Sequence, residues 1–190
     1  MDLGIAGRTA LVTGASSGLG LACAQALAVD GVRVALAARS HERLAAAAQA
    51  VDGEPVTITT DLSRPEQIDD LVSAALDALG EIDILIANAG GPPPGNFAST
   101  GLDAYPDALQ LNLLSTVALC KALIPPMQQR GWGRVVAITS LSVRQPIDQL
   151  ILSNTARAGL TAFLKTTATE VAPDGVTVNT VQPGLHATAR

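Results

Sequence analysis

Thr13-Gly14-Ala15-Ser16-Ser17-Gly18-Leu19-Gly20 lies between a short apolar run, residues 8–13, and a stretch of helical composition, residues 19–29. A glycine motif with a strand before it and a helix after it is the form that holds a dinucleotide. Three demands explain the glycines. The turn is tight, the backbone must approach a pyrophosphate, and the helix must pack close to the strand. The first turn of the helix then offers free N–H groups and a positive dipole end to the phosphates. An ordinary glycine turn would need none of this context. The stretch predicts a doubly wound α/β domain with a parallel sheet, a Rossmann fold.

Outward from that loop, strand and helix patterns alternate. Gly31 stops the first helix. Residues 32–38 read as a second strand, 41–51 as a helix with an alanine face, and 56–60 as a third strand. Pro65 fits the first turn of a helix that runs to Leu79 and ends at Gly80. Residues 82–87 form the fourth strand, and a glycine- and proline-rich loop occupies 90–95. A long helix is expected over 103–129, with Pro125 and Pro126 arguing for a kink or an early end. Strands at 134–139 and 176–181 flank a helix at 151–171, and Pro183-Gly184 opens a last loop. Strands separated by helices imply parallel pairing through right-handed crossovers. The sequence shows no repeat and no linker, so residues 1–190 read as one domain.

Composition excludes several function classes. Apolar residues make up 48% of the chain and charged residues 15%, which describes a chain with a core. The net charge is −5 and no basic stretch could grip a phosphate backbone, so no nucleic-acid partner is expected. The N-terminus lacks the layout of a signal peptide. No charge-free apolar run reaches the ~20 residues a membrane span needs. A cytoplasmic protein with no membrane partner is expected. Cys23 and Cys120 read as separate buried thiols rather than a disulfide or redox pair. No ligand cluster points to a metal.

The second strand ends Ala35-Leu36-Ala37-Ala38-Arg39-Ser40. NAD-selective domains usually carry an acid here for the ribose 2′-hydroxyl. Ala38 stands at that position and Arg39 follows. A guanidinium suits a 2′-phosphate, which favours NADP(H) over NAD(H). The other reading of Arg39 is a solvated loop residue.

These residues resemble the short-chain dehydrogenase/reductase family over the whole chain. The glycine loop matches at Thr13, Gly14, Gly18 and Gly20, with Ser16, Ser17 and Leu19 between them. Asp61-Leu62 is similar to the family's adenine contact, and Asn88-Ala89-Gly90 to its motif after the fourth strand. Asn112 falls at its catalytic asparagine and Ser140 at its catalytic serine. Pro183-Gly184, with Thr188, resembles the segment that touches the nicotinamide carboxamide and pyrophosphate. The pattern is nearest to 3-oxoacyl-acyl carrier protein reductases and related carbonyl reductases. The resemblance implies a carbonyl or acyl-thioester substrate. It also implies a homodimer or homotetramer built on the helices near Asp103 and Ile151. The family's seventh strand and substrate-covering helices would fall beyond Arg190.

One pair departs from the pattern. The family places tyrosine thirteen residues after the serine and lysine four further on; here those positions hold Ser153 and Arg157. Tyr105, the only tyrosine, lies well before Ser140. A phenol beside an ammonium is a usable acid, its pKa lowered from about 10. An aliphatic hydroxyl is a poor acid near neutrality, and losing general-acid catalysis typically costs about 10²–10⁴-fold in rate. Arg157 keeps the charge for holding the nicotinamide ribose but relays protons poorly. Ser140, Ser153 and Asn112 could still polarise a carbonyl. Ser153-Asn154-Thr155 also reads as a helix cap. Asp148 and His186 read as loop residues, solvated rather than acid–base groups. Three functions stay open: an NADP(H)-dependent oxidoreductase, a non-catalytic dinucleotide-binding protein, and another reaction on the same scaffold.

Overall fold

The computed structural model describes residues 2–184. Its strands are β1 (Thr9–Thr13), β2 (Arg33–Ala38), β3 (Val56–Thr59), β4 (Ile84–Ala87), β5 (Gly133–Ile138) and β6 (Val176–Val181). The main helices are α1 (Gly18–Val29), α2 (His41–Ala48), α3 (Glu66–Leu79), α4 (Ala104–Leu109), α5 (Ser115–Gln129) and α6 (Ile151–Val171). β1 and β4 are buried along their whole length, which is why both are apolar on both faces.

The strands form one parallel sheet in the order β3-β2-β1-β4-β5-β6. The order reverses between β1 and β4, so a crevice opens beyond their carboxyl ends. Neighbouring strand residues point to opposite faces. Leu11 therefore packs with Leu85, Leu119, Leu123 and Leu164 under α3, α5 and α6. Val12 packs with Leu36, Leu44, Ile84 and Ile86 under α1 and α2.

The opposite rim of the sheet is tied by Asp83, which is 2% exposed. Its carboxylate accepts from the Thr9 backbone N–H at 3.2 Å, and its own N–H donates to Thr9 O at 3.1 Å. Arg8 approaches at 3.5 Å and Arg130 at 3.7 Å, so the buried charge is neutralised. Beside it Trp132 lies between two guanidiniums, Arg8 at 4.0 Å and Arg134 at 4.3 Å from the ring centroid.

Two local expectations are corrected. Pro125 and Pro126 do not end α5 early; the helix runs through them to Gln129. The prolines sit near the C-terminal end, and the flanking Leu123, Ile124 and Met127 are buried, so packing holds the last turn. The irregularity comes earlier, as a widened π turn at Gln110–Leu114 between α4 and α5. Ser153 is also no cap: α6 starts at Ile151 after Leu150, which leaves Ser153 inside the helix and buried. The whole helical stretch Ala104–Gln129 is long and apolar enough to cross a membrane. Here its Leu119, Leu123 and Met127 are buried against the sheet.

Asp83→Ala should lower unfolding free energy by about 2–3 kcal/mol in urea melts, since the Thr9 donors would lose their acceptor. Burial pushes the Cys120 thiol pKa up to about 12. In the native protein at pH 8 it should stay unmodified by thiol reagents and react only on unfolding.

Candidate active site

The crevice at the carboxyl ends of β1 and β4 begins with a clash that only glycine avoids. Gly14 follows β1 with φ +59°, and a Cβ there would stand 2.7 Å from Asn88 Nδ2. A Cβ on Gly20 would collide with Gly14 O. Asn88, just past β4, closes the turn from the other side. Its side-chain amide donates to Gly14 O at 3.2 Å, and its backbone N–H donates to Thr13 Oγ1 at 2.9 Å. Thr13 Oγ1 in turn donates to Asn88 O at 2.8 Å. The loop backbone and the first turn of α1 thereby form the floor of the crevice. The first N–H groups of a helix have no partner within it.

The crevice has a volume of about 1000 Å³. Gly14, Ser16, Ser17, Gly18 and Leu19 line one side, and Asn88, Ala89 and Gly90 another. Arg39, Ser40, Asp61 and Leu62 line one end; Ser140, Pro183 and Gly184 line the other. Nearly every residue singled out for dinucleotide contact is thus brought together. A cradle too narrow for a Cβ, free N–H groups and cationic side chains fit a long, doubly anionic ligand. Gly20 stands behind the wall, against Gly14. Thr188 and His186 lie outside the described residues.

The far end carries charge. Partial burial raises the Asp61 carboxyl, but bonds from the Ser63 N–H and hydroxyl and the nearby Arg39 and Arg64 guanidiniums outweigh it. Its pKa therefore falls below the usual range. Arg43, which the sequence pattern did not reveal, also lines this end. Its Nη2 donates to Ser17 Oγ at 3.1 Å. The signal was its position three residues after Ser40, whose hydroxyl accepts from the Arg43 N–H at 3.2 Å and caps α2.

At the opposite end Ser140 leaves β5. Its Oγ accepts from the Ser142 N–H at 3.1 Å, so its O–H is left to donate. Asn112 lies in the π turn, 2% exposed, and its Nδ2 donates to Gly90 O across 2.6 Å. Its Oδ1 is buried with no hydrogen-bond partner. Asn112 braces the Asn88-Ala89-Gly90 segment from behind. Ser153 and Arg157 do not line the crevice among the described residues. Both are buried in α6. The Arg157 guanidinium donates to Ile138 O at 2.9 Å and to Ala89 O at 3.4 Å. It thereby bridges the ends of β5 and β4, a task for a rigid fork of donors.

A second cavity of about 400 Å³ adjoins through Ile147, which lines both. The loop carrying Asp148 is pinned over it, with Gly95 N–H donating to Gln149 O at 2.7 Å.

The family model of short chain dehydrogenases matches residues 8–190. The chain belongs to that family. The chain is 36% identical to a ketoacyl reductase, HetN, of a Nostoc strain, over 95% of the chain and 64% of that protein. It is 32% identical to dehydrogenase/reductase SDR family member 4 of Sus scrofa, over 94% and 65%. The chain thus spans a little under two thirds of the length of these relatives. Among solved structures it is similar to L-sorbose reductase from Gluconobacter frateurii complexed with NADPH and L-sorbose. The TM-score is 0.95 at 34% identity, covering 100% of this chain and 73% of that one. A single-substitution variant of actinorhodin polyketide ketoreductase with NADPH gives a TM-score of 0.91 at 32% identity, covering 100% and 74%.

Gly14→Ala combines a positive φ with a clash, so it should abolish dinucleotide uptake in calorimetry and lower the melting temperature. Ser140→Ala removes the wall hydroxyl and the acceptor of the Ser142 N–H, so it should lower the melting temperature slightly, by about the worth of one helix cap, and leave dinucleotide uptake intact.

Proposed function

We propose that this dehydrogenase is an NADP(H)-dependent oxidoreductase acting on a small carbonyl compound or secondary alcohol. The observation that carries the reading is a single crevice with a phosphate cradle at its centre. Cationic side chains stand at one end and the Ser140 hydroxyl at the other. The NADPH complexes among its structural neighbours support the choice of coenzyme.

A bound nicotinamide would supply or accept hydride at the Ser140 end. The chain's own residues do the remaining work. The glycine loop and the α1 N-terminus hold the pyrophosphate. Asp61 offers an acceptor at the adenine end. Asn112 fixes the backbone of Gly90. Ser140 donates a hydrogen bond to the substrate oxygen and orients it. Arg157 keeps a fixed positive charge between the ends of β4 and β5. Ser153 stands at the family's tyrosine position, too weak an acid to serve as proton donor near neutrality. Protons therefore come from water. Acyl-thioester or simple ketone substrates, cytoplasmic location and a homodimeric or homotetrameric assembly belong to the same proposal.

A second reading has its own observation. Ser153 is buried and Arg157 is engaged by backbone carbonyls, as in a protein that binds dinucleotide without turning it over. Calorimetric titration with NADPH and NADH followed by an NADPH-consumption assay on a ketone panel separates the two. Turnover supports the first. Tight NADPH binding with no turnover in the full-length protein supports the second.

If the enzyme turns over, the pH dependence of its chemical step should be flat between about pH 6 and 9, since no phenol titrates there. The double change Ser153→Tyr with Arg157→Lys should raise the rate about 10²-fold or more if acid catalysis is the missing element. An unchanged rate would show that the donor is not what limits it.

A further inference from the structure

The coenzyme-selective end of the crevice contains two arginines, and their surroundings differ. Arg39 follows β2 directly and acts on Asp61, one of the charges that hold that carboxyl below its usual range. None of the ion pairs among the described residues includes Arg39, and no hydrogen bond among them fixes its guanidinium. Arg43 stands in the first turn of α2. None of the ion pairs among the described residues includes it. What it touches is neutral: the hydroxyl of Ser17, 26 positions earlier in the chain.

Ser17 is unusual in its own right. It occupies the N-cap of α1 in extended conformation, φ −173°, yet its side chain makes no capping bond to the helix. Serine is favoured at that position because its oxygen accepts an orphan N–H. Here the oxygen accepts from Arg43 instead. A hydroxyl has one proton to give, and accepting from the guanidinium leaves that proton for a ligand. The Arg43 backbone is in turn fixed by Ser40 Oγ. Two elements far apart in sequence therefore present, on one wall of the crevice, a planar cation and a hydroxyl donor, with no carboxylate paired to the cation among the described residues. A doubly charged phosphomonoester on a ribose edge satisfies such a set, through charge-assisted and bidentate bonds. A neutral ribose hydroxyl does not.

We propose that Arg43, acting with Ser17, is the principal determinant of selectivity for a 2′-phosphorylated adenine dinucleotide, and that Arg39 is secondary. The proposal rests on the coenzyme reading above. It ranks the two arginines by position: the Arg43 guanidinium is already held on the crevice wall by Ser17, and no hydrogen bond or ion pair among the described residues holds that of Arg39. It also makes Ser17 a reader of the phosphate rather than a helix cap.

The test is calorimetric titration of the wild-type chain, Arg43→Ala, Arg43→Lys and Arg39→Ala. The probes are NADPH, NADH, 2′,5′-ADP and 5′-AMP. Arg43→Ala should weaken NADPH and 2′,5′-ADP by about 10–100-fold, the worth of a hydrogen bond to a charged group. NADH and 5′-AMP should bind as before. Arg39→Ala should cost less on the same probes. Arg43→Lys, with charge but no fork, should fall between wild type and alanine. Equal loss of NADPH and NADH in Arg43→Ala would overturn the proposal, since Arg43 would then only support the glycine loop. So would a larger loss in Arg39→Ala than in Arg43→Ala. Wild-type protein that binds none of the four probes would sink the coenzyme reading itself, and this inference with it.

Discussion

The structure depends on one close approach, the packing of Gly20 against the carbonyl of Gly14. No side chain fits there. That contact lets α1 start directly beneath the end of β1, with its free N–H groups facing the crevice. Asn88 locks the arrangement from β4, bonding to both Thr13 and Gly14. β4 can do so only because it is β1's direct neighbour, which the reversal of strand order guarantees. Sheet topology, glycine turn and ligand cradle are therefore one constraint seen at three scales.

The support behind the crevice follows the same logic. Backbone carbonyls at the ends of β4 and β5 face inward and need donors. Arg157 supplies them at Ile138 and Ala89, and Asn112 supplies one at Gly90. The π turn around Asn112 is where the long helix gives up regular geometry to bring that amide to Gly90. Buried side chains brace the wall, and the side chains of Ser17, Arg43 and Ser140 are left to meet a ligand. Arg157 in this arrangement joins the ends of β4 and β5.

The alternation of elements is legible in the sequence because each strand is a short apolar run and most helices carry a breaker near their end. The glycine loop, Asp61, Asn88 and Ser140 are legible because local strand–turn contexts carry them to the crevice. What escapes is tertiary. Arg43 looks like any charged helix residue until the placement of α2 brings it to Ser17. Pro125 and Pro126 suggest a break, but buried neighbours outweigh two missing donors. Ser153-Asn154-Thr155 resembles a cap by residue type alone, and the helix already expected over 151–171 places Ser153 inside its first turn. The partners of Arg157 are carbonyls, and backbone atoms leave no mark in a sequence.

Trp132, the chain's single indole, lies between Arg8 and Arg134 at the rim of the sheet away from the crevice. Its intrinsic fluorescence is a built-in gauge of whether that rim is folded. It is nearly blind to what occupies the crevice, except through energy transfer to a reduced nicotinamide. One emission band thus follows denaturation, and the coenzyme's own emission follows loading, so the two equilibria are separable in a single cuvette.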